Sequence, residues 1–454
     1  MEEIQIPFVK GNSSELHAAL LPDFEIELIH GKPATDKSII VTIMAEGYTK
    51  SEQDKFIKDA KVCLNDFWLI YPFSYFKDQF SVYAIKVISN ESGIGKSETE
   101  LVDSYFGIYK IGTKDISYLH RLDPYGVSYN DKADLIRDYF YRTTGFDFHK
   151  EKLSMILAND ASARGVTNFG GYAISTVGFG GKLHEGEMGP FTGDMATHEL
   201  AHSFGYLNDE RKTNNMGEAA NMTRENDPAK VTWKFLLGAP SNVPIYGGIG
   251  GGLISVYNIA GTEWHIPHSQ CKMAYTDYPF CAVCCAQMFK QFAGLTGEPF
   301  YGYSKDSPKA LTGTIIPSGT TRILPYAFWG REELTSLVIP NGITEIGASA
   351  FISCTNLTDL TIPDSVTNLE IKSFKFCPNL RINGHIGSNA AVFANKNQIP
   401  FKLSEARITD IKLLHKLALD KPVTEETAGT DVNGDGAVNV FDITAAKMMM
   451  NKEK

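Results

Sequence analysis

The sequence predicts three successive parts: an α/β domain built on a mixed twisted sheet, a short repeat solenoid, and a small helical module. The α/β class follows from short apolar runs that alternate with amphipathic segments in the first two thirds of the chain. The solenoid follows from a 23-residue repeat that begins near Leu311. The third part follows from a helix-like stretch at 406–419, a polar linker and the sequence DVNGDGAVNVFD at 431–442.

These changes of pattern divide the 454 residues into four segments, which is consistent with the length of a multidomain chain. Residues 1–37 are expected to form an N-terminal extension packed on the domain that follows. Residues 38–305 form the α/β domain, residues 306–403 the repeats, and residues 404–454 the C-terminal module.

Composition excludes several classes of protein. Hydrophobic residues make up 43% and charged residues 21% of the chain, which is typical of a folded globular protein. A formal net charge of −10 repels phosphate backbones, so we expect no nucleic-acid partner. No apolar run is long enough to span a membrane. The first residues do not resemble a signal peptide, although an exported protein can begin after its cleavage site.

The elements of the α/β domain can be assigned in order. Residues 39–45 are an apolar, β-branched run that predicts a buried strand. Thr49 and Glu52 form a capping-box pattern that opens a helix to about Leu69. Further strands are expected at 80–88, 152–158 and 172–177, and a further helix is expected to begin near Gly193.

The repeat region keeps one period at three kinds of position. The positions that recur every 23 residues are Leu311, Leu334, Leu357 and Leu380, the Ile–Pro pairs at 316, 339 and 362, and Phe328, Phe351 and Phe374. This pattern predicts a leucine-rich solenoid of two or three clean repeats, with residues 381–403 as a cap. Cys354 and Cys377 are also one period apart, so we expect them to stack in the core as small apolar residues.

The strongest chemical motif is the sequence HELAH at 198–202. His198 and His202 are four residues apart, so they lie on one helical face and can bind one zinc ion. Glu199 can act as general base on a zinc-bound water. Gly205 is expected to end the helix with a positive φ and to reverse the chain, which would bring Asp209 back to the metal.

Four of the seven cysteines fall between residues 271 and 285. A second zinc site is one interpretation of this cluster, because CxxC is half of a zinc-finger motif. The adjacent Cys284 and Cys285 point in different directions, however, and only one CxxC is present. A disulfide from Cys271 to Cys281, or to one of the CxxC pair, is the preferred prediction.

A calcium-loop pattern lies near the C-terminus. Side-chain oxygens occur at loop positions 1, 3, 5 and 12, and a glycine at position 6 allows the sharp turn. The expected Ca²⁺ ligands are Asp431, Asn433, Asp435, the carbonyl of Ala437, Asn439 and Asp442.

The stretch at 196–210, ATHELAHSFGYLNDE, resembles the active-site helix of the IgA-peptidase family, which are secreted, metzincin-like bacterial zinc metallopeptidases. The resemblance extends over about 38–298 and includes EGYTKSEQDKF at 46–56, NFGGYA at 168–173 and CKMAYTDYPFCAVC at 271–284. It implies that both histidines and Asp209 bind catalytic Zn²⁺ and that Glu199 is the base. Metzincins in general place the third ligand one residue earlier, at Asn208 here, and Glu210 is the rival to Asp209.

The same resemblance implies further roles. Met273 would form the apolar turn beneath the zinc, with Met216 as the competing candidate, and Tyr275 would stabilise the oxyanion. The segment 168–177 would form the edge strand at the upper rim of the cleft. The expected substrate-binding residues on that rim are Gly170, Gly171, Tyr172 and Ala173.

The other two parts also resemble known modules. The repeats are similar to the BspA type of leucine-rich repeat found on bacterial surface and secreted proteins. The calcium loop and the helix after it resemble one half of a dockerin, which implies a cohesin-type scaffold as a partner. The other half would have its loop at 399–410, where Ile399, Leu403 and Arg407 replace oxygen ligands, so it is degenerate.

The first functional hypothesis is a secreted or surface-associated, monomeric zinc endopeptidase that cleaves a protein or glycoprotein. The alternative from another class is an adhesin-like binding protein with a non-proteolytic metal domain. A third hypothesis is a metal-dependent hydrolase of another bond, such as a deacylase. The intact Glu199 favours an enzyme over a binding protein, because a scaffold would not need the base.

Overall fold

The structure is a computed structural model of the whole chain. The residues that it describes are 23–97, 99–110, 128–146, 153–161, 165–166, 172–177, 192–211, 217–239, 241, 253–274, 278–302 and 316–404. The chain divides into two compact units. The first comprises Met1–Asn226 and Pro240–Thr296, and the second comprises Asp227–Ala239 and Gly297–Lys454.

The first unit is a mixed α/β structure. Its strands are β1 (Glu25–His30), β2 (Ile39–Glu46), β3 (Phe80–Lys86), β4 (Leu153–Ala158), β5 (Gly165–Val166), β6 (Ala173–Thr176), β7 (Tyr257–Asn258) and β8 (His265–Ile266). Its α-helices are α1 (Gln53–Phe67), α2 (Tyr129–Thr144), α3 (Thr192–Ser203) and α4 (Ala282–Thr296). The α/β prediction for this part of the chain is therefore confirmed.

Six of these strands form one sheet in the order β1-β3-β2-β4-β6-β5. The four inner strands are parallel, whereas β1 and β5 run antiparallel to their neighbours at the two edges. Every residue of β2 is buried, which is the pattern of an inner parallel strand covered on both faces. Strand β1 lies within the segment assigned to the N-terminal extension, and it is part of this sheet.

The segment after β2 forms as its sequence predicts. The Thr49 backbone N–H donates to the Glu52 carboxylate, and the Glu52 N–H bonds back to Thr49 as in a capping box. A short 3₁₀ turn at Lys50–Glu52 comes first, and α1 follows directly. The capping box therefore fixes the point at which the helix begins.

The expected rim strand does not lie at the edge of the sheet. β6 pairs with β4 on one side and with β5 on the other, so Val166 and Gly165 occupy the outer position. Ala173 is buried, and Tyr172 is buried with its hydroxyl donating to Asp134 Oδ1 at 2.6 Å. The edge placement of Ala173–Thr176 was wrong because nothing in the local pattern indicated the two-residue strand β5.

The second unit contains two parallel ladders of short strands. The strands are β9 (Arg322–Ile323), β10 (Ser336–Val338), β11 (Glu345–Ile346), β12 (Asp359–Thr361), β13 (Arg381–Gly384) and β14 (Phe401–Leu403), and helix α5 (Asn389–Lys396) precedes the last. Ser336 pairs with Asp359 and Arg322 pairs with Glu345, so the pairing follows the 23-residue period. β14 adds to the same ladder as β10, β12 and β13, so residues 381–403 continue the strand array.

The repeated phenylalanines stack in register. The rings of Phe328 and Phe351 are 5.0 Å apart and nearly parallel, and those of Phe351 and Phe374 are 5.7 Å apart. Cys354 donates to the Phe328 carbonyl at 3.0 Å, and Cys377 donates to the Phe351 carbonyl at 3.0 Å. Both cysteines are free thiols in the structure.

The segment 227–239 belongs to the second unit although it lies far from the repeats in sequence. Its residue Phe235 contacts Gly330, where an added Cβ would come within 2.7 Å of the phenylalanine ring. The Ser353 hydroxyl donates to the Phe235 carbonyl. The compact units therefore divide at 226/227, 239/240 and 296/297, whereas the domain limits at 305 and 403 stay predictions.

Several predicted features lie outside the described residues. They are Gly170, Gly171, Met216, Tyr275, the N-terminal residues 1–22 and the calcium loop with Asp431, Asn433, Asp435, Ala437, Asn439 and Asp442. Within the described part of the chain, none of the helices has the length and apolar character required to cross a bilayer.

Candidate metal centre

Helix α3 carries the HELAH motif into the interior of the first unit. The helix lies against β6 and α1, and its residues 196–202 are buried without exception. His198 is 3%, Glu199 4% and His202 8% exposed. Three ionisable side chains on one buried helical turn require compensating partners, because burial of unpaired polar groups is costly.

The chain reverses directly after α3, but not in the way the sequence predicts. Gly205 does not have a positive φ, whereas the next residue, Tyr206, adopts φ 53°. The glycine is required by close packing instead, since a Cβ at 205 would lie 2.6 Å from both the Ala201 carbonyl and the Met288 sulfur. The Leu207 N–H donates to the Ala201 carbonyl at 3.2 Å and closes the turn.

Backbone carbonyls orient both imidazoles. His198 Nδ1 donates to the Lys272 carbonyl at 2.8 Å, and His202 Nδ1 donates to the Leu207 carbonyl at 2.7 Å. A carbonyl can only accept, so each Nδ1 carries a proton and each neutral ring presents an unprotonated Nε2. This arrangement is the outer hydrogen bond that metal-binding histidines usually make.

The inward-facing atoms converge on one point. His198 Nε2 and His202 Nε2 are 3.3 Å apart, and Asp209 Oδ1 is 3.3 Å from the first and 3.6 Å from the second. A tetrahedral zinc with bonds of about 2.0–2.1 Å requires ligand atoms about 3.3–3.4 Å apart. The triangle of donor atoms therefore has the size that a zinc ion needs.

The donor atoms of this site also have polar requirements that a bound cation would satisfy. Asp209 Oδ1 is buried and has no hydrogen-bond partner among the described residues. The two Nε2 lone pairs face each other across 3.3 Å, which is unfavourable without a positive charge between them. The residues present thus fit a bound divalent metal.

The electrostatics of the site follow from its burial and its charges. Burial acts to raise the pKa of the Asp209 carboxyl, but the adjacent His198 and His202 outweigh it and hold that pKa well below its usual range. Burial acts to lower the pKa of His202, but Asp209 and Glu199 outweigh it and raise that pKa. The site therefore favours a carboxylate at 209 and positive charge between the three groups.

Consecutive residues after the reversal face different partners. Asn208 donates through its amide to the Gly217 carbonyl, Asp209 faces the histidines, and the Glu210 carboxylate accepts from Cys284 Sγ at 3.2 Å. Asn221 binds the Asn208 backbone at both N–H and C=O and also donates to Glu210 Oε1 at 3.0 Å. The structure thus brings Asp209, and neither of its two rivals, to the histidines.

The segment 271–274 lies directly against this centre. Lys272 provides the carbonyl that binds His198, and the Met273 carbonyl accepts the Glu210 N–H at 2.8 Å. Met273 itself is fully buried. The role of Met273 as an apolar floor stays a prediction, but its segment contacts both the helix and the chain that carries Asp209.

The cysteines of this segment are not in disulfides. Cys271 Sγ and Cys284 Sγ are 3.7 Å apart, whereas a disulfide requires about 2.05 Å. None of the four cysteines between 271 and 285 is bonded to another sulfur of the described chain. The structure therefore contains none of the predicted disulfides, from Cys271 to Cys281 or to one of the CxxC pair. Cys271, Cys281 and Cys284 lie instead around Glu210 in a second group of potential metal ligands.

A buried helix with two histidines, an adjacent glutamate and a carboxylate returned by a chain reversal is the arrangement of a metallopeptidase. Comparison with protein families agrees with this class: residues 26–245 match the family described as IgA Peptidase M64. Residues 305–402 match the BspA type leucine rich repeat region in six copies, which agrees with the repeat type predicted from the sequence. A search of curated proteins gives no match. The chain therefore contains an M64 peptidase domain followed by a BspA-type repeat region.

Several residues of the site escaped the sequence analysis. Asn221 gives no signal in the sequence, because an asparagine with three buried hydrogen bonds looks like any other asparagine. Lys272 and Leu207 act through backbone carbonyls, which no residue type reveals. The sequence analysis named Glu210 only as a rival to Asp209, and its place beside Cys284 could not be predicted because Glu210 is 61 residues before Cys271.

Proposed function

We propose that this protein is a zinc-dependent endopeptidase in which His198, His202 and Asp209 hold the catalytic zinc. The observation that carries the proposal is the triangle of Nε2, Nε2 and Oδ1 atoms at 3.3, 3.3 and 3.6 Å, with Glu199 buried on the same helical turn. The match of residues 26–245 to a peptidase family supports the same reaction class.

Zinc bound by these residues would lower the pKa of a water molecule and polarise the scissile carbonyl. Glu199 follows His198 in the helix, so it is the base that takes a proton from the attacking water and delivers it to the leaving amine. The Lys272 and Leu207 carbonyls hold both imidazoles with Nε2 toward the metal. Because α3 is packed into the domain core, these groups need little reorganisation during the reaction.

The substrate is proposed to be a protein or glycoprotein. Tyr275, two residues beyond Met273, is proposed to stabilise the oxyanion, and residues 170–173 to contact the substrate. For Tyr172 and Ala173 such contact would involve the backbone, since both side chains are buried.

The remaining parts are proposed to localise the enzyme. The BspA-type repeats support a secreted or cell-surface location and a role in binding. The sequence at 431–442 supports one Ca²⁺ site in a dockerin-like module, with a cohesin-type scaffold as its partner.

The test is a peptide-library cleavage assay on wild type and Glu199→Gln. The variant is expected to keep its zinc and its circular dichroism but to lose proteolysis by about 10³-fold or more. Glu27→Gln, on strand β1 away from the helix, is the matched control and should cleave as wild type does. Proteolysis that persists in Glu199→Gln would exclude the mechanism. A wild type that is loaded with zinc but cleaves no peptide would favour the adhesin-like binding protein.

A further inference from the structure

A second cluster of potential metal ligands lies behind the first. It consists of Glu210, Cys271, Cys281 and Cys284, whose carboxylate oxygen and sulfur atoms lie within 4.8 Å of one another. All four residues are buried. None of them takes part in the chemistry proposed above.

The spacing of the ligand atoms is that of a metal site rather than of a thiol pair. Zinc–sulfur bonds of about 2.3 Å in a tetrahedron place two sulfurs about 3.8 Å apart. Cys271 Sγ and Cys284 Sγ are 3.7 Å apart, and Cys284 Sγ is 3.2 Å from Glu210 Oε1. In addition, the Cys281 N–H donates to Cys271 Sγ at 3.3 Å, which is a contact that stabilises a thiolate.

An unpartnered atom lies in the same cluster. Glu210 Oε2 is buried and has no hydrogen-bond partner among the residues that the structure describes, although Glu210 Oε1 accepts from Asn221 and Cys284. Glu210 itself is only 3% exposed. A buried carboxylate oxygen without a partner is costly, and a cation bound by the adjacent sulfurs would remove that cost.

The adjacency of Cys284 and Cys285, and the presence of only one CxxC, do not prevent a second metal site. Adjacent Cys284 and Cys285 cannot both point at one ion, but the structure requires only Cys284 to do so. Cys285 Sγ points elsewhere and contacts the Phe280 carbonyl at 3.5 Å. The fourth ligand comes from Glu210 on a distant part of the chain, so a second CxxC is not needed.

We propose that Glu210, Cys271, Cys281 and Cys284 bind a structural zinc ion, separate from the one held by the two histidines and Asp209. Three thiolates and one carboxylate form a closed, four-coordinate set with soft ligands, which selects zinc over magnesium or calcium. The site is buried and leaves no position for a substrate. On binding, the thiols lose their protons to solvent and no electrons are transferred.

The structural zinc would connect two chain segments that build the catalytic centre. Glu210 follows Asp209 directly, and its N–H donates to the Met273 carbonyl. Cys271 precedes Lys272, whose carbonyl orients His198. The ion would therefore fix the position of Asp209 and of the Lys272 carbonyl that orients His198.

The first experiment counts metals and thiols without touching the cysteines. Wild type purified under reducing conditions is expected to hold about two zinc ions per chain by elemental mass spectrometry. His198→Ala/His202→Ala should retain about one zinc ion, which the proposed catalytic site cannot account for. Alkylation after denaturation with chelator and without reductant should label all seven cysteines. A double variant with no zinc, or a disulfide within 271–284 in wild type, would overturn the proposal.

The second experiment identifies the ligands by spectroscopy. Cobalt(II) in the structural site should give thiolate-to-cobalt charge-transfer absorption, which a His–His–Asp site cannot give because it has no sulfur. This absorption should persist in His198→Ala/His202→Ala and disappear in Cys284→Ser, whereas the neighbouring control Cys285→Ser should keep it. If Cys284→Ser does not fold, the double variant still decides the question. Absence of the absorption in the double variant would overturn the proposed structural zinc site. Proteolysis by wild type tests the proposed peptidase function separately.

Discussion

Asp209 and Glu210 are consecutive in the chain, yet their carboxylates lie in two different clusters of potential metal ligands. Asp209 Oδ1 is 3.3 Å from His198 Nε2, and Glu210 Oε1 is 3.2 Å from Cys284 Sγ. Both residues lie outside the helices and strands, and their side chains face different partners, so two adjacent acids can serve two sites. Each carboxylate also has one buried oxygen without a hydrogen-bond partner in the described chain.

The first prediction concerns the third catalytic ligand. Asp209→Ala should lower zinc affinity at the catalytic site by at least about 100-fold, because it removes a charged ligand from a three-residue set. Arg211→Ala is the matched control, since Arg211 is exposed and its Nε lies 3.8 Å from Asp209 Oδ1. Competition with a chelating dye would measure both variants. An unchanged affinity in Asp209→Ala would show that another residue binds the metal.

The second prediction concerns Asn221, which positions both acidic residues. Its side chain holds the Asn208 backbone at 2.9 and 2.8 Å and donates to Glu210 at 3.0 Å. Asn221→Ala should therefore weaken zinc binding by about 10–100-fold. Asn258→Ala, which also loses two amide-to-carbonyl bonds but lies near the surface, should leave zinc binding unchanged. Equal zinc affinity in the two variants would contradict a positioning role.

The third prediction concerns the close approach at Gly205. An alanine there would place its Cβ 2.6 Å from the Ala201 carbonyl and from Met288 Sδ, so Gly205→Ala should lower the free energy of unfolding by about 1–3 kcal/mol. Gly294 in α4 has no atom within 4 Å of an added Cβ, and Gly294→Ala should raise that free energy by up to about 1 kcal/mol. Urea unfolding of both variants would measure the difference. An unchanged free energy of unfolding in Gly205→Ala would show that the helix and the chain reversal after it can move apart without cost.

The comparison of Gly205 with the HELAH motif indicates how far the sequence could predict this site. The motif depends on local helical geometry, so the spacing of His198 and His202 was sufficient. The need for a glycine at 205 depends on contact with Met288, which is distant in the sequence and is placed there by the packing of α4. Likewise, the capping box at Thr49 is local and formed as expected. The edge strand β5 depends on long-range pairing and could not be read from its own two residues.

The fourth prediction uses the buried carboxylate of Glu46 at the end of β2. It accepts hydrogen bonds from the Ser104 hydroxyl at 2.6 Å and from the N–H groups of Phe106 and Ile108 at 2.9 and 3.0 Å. Burial raises the pKa of Glu46 despite these bonds. The folded state therefore holds the proton more tightly than the unfolded state, and the stability gained from it is lost as pH rises through the raised pKa.

Glu46→Gln resembles the protonated carboxyl and cannot titrate, so it isolates this contribution. The free energy of unfolding of wild type, measured relative to Glu46→Gln, should fall as pH rises from about 4.5, by at most about 1.4 kcal/mol per pH unit. Other titrating groups are present in both proteins and cancel in the difference. Urea unfolding at several pH values would measure it. A difference that stays constant or increases with pH would contradict the raised pKa.

The last prediction concerns the sequence at 431–442, which lies outside the described residues. Asp431, Asp435 and Asp442 bring three carboxylates together, so one Ca²⁺ ion should bind there and protect the segment from proteolysis. The other half-loop at 399–410 has Ile399, Leu403 and Arg407 where oxygen ligands are needed. Its residues 401–403 form β14, which pairs with β13 in the repeat ladder. Calorimetry on the zinc-loaded full chain is therefore expected to give about one calcium per chain, and Asp431→Ala/Asp435→Ala none. Asp364→Ala, in the repeats, is the control. Two calcium ions in wild type would require a second loop elsewhere, and none at millimolar concentration would contradict the dockerin-like assignment.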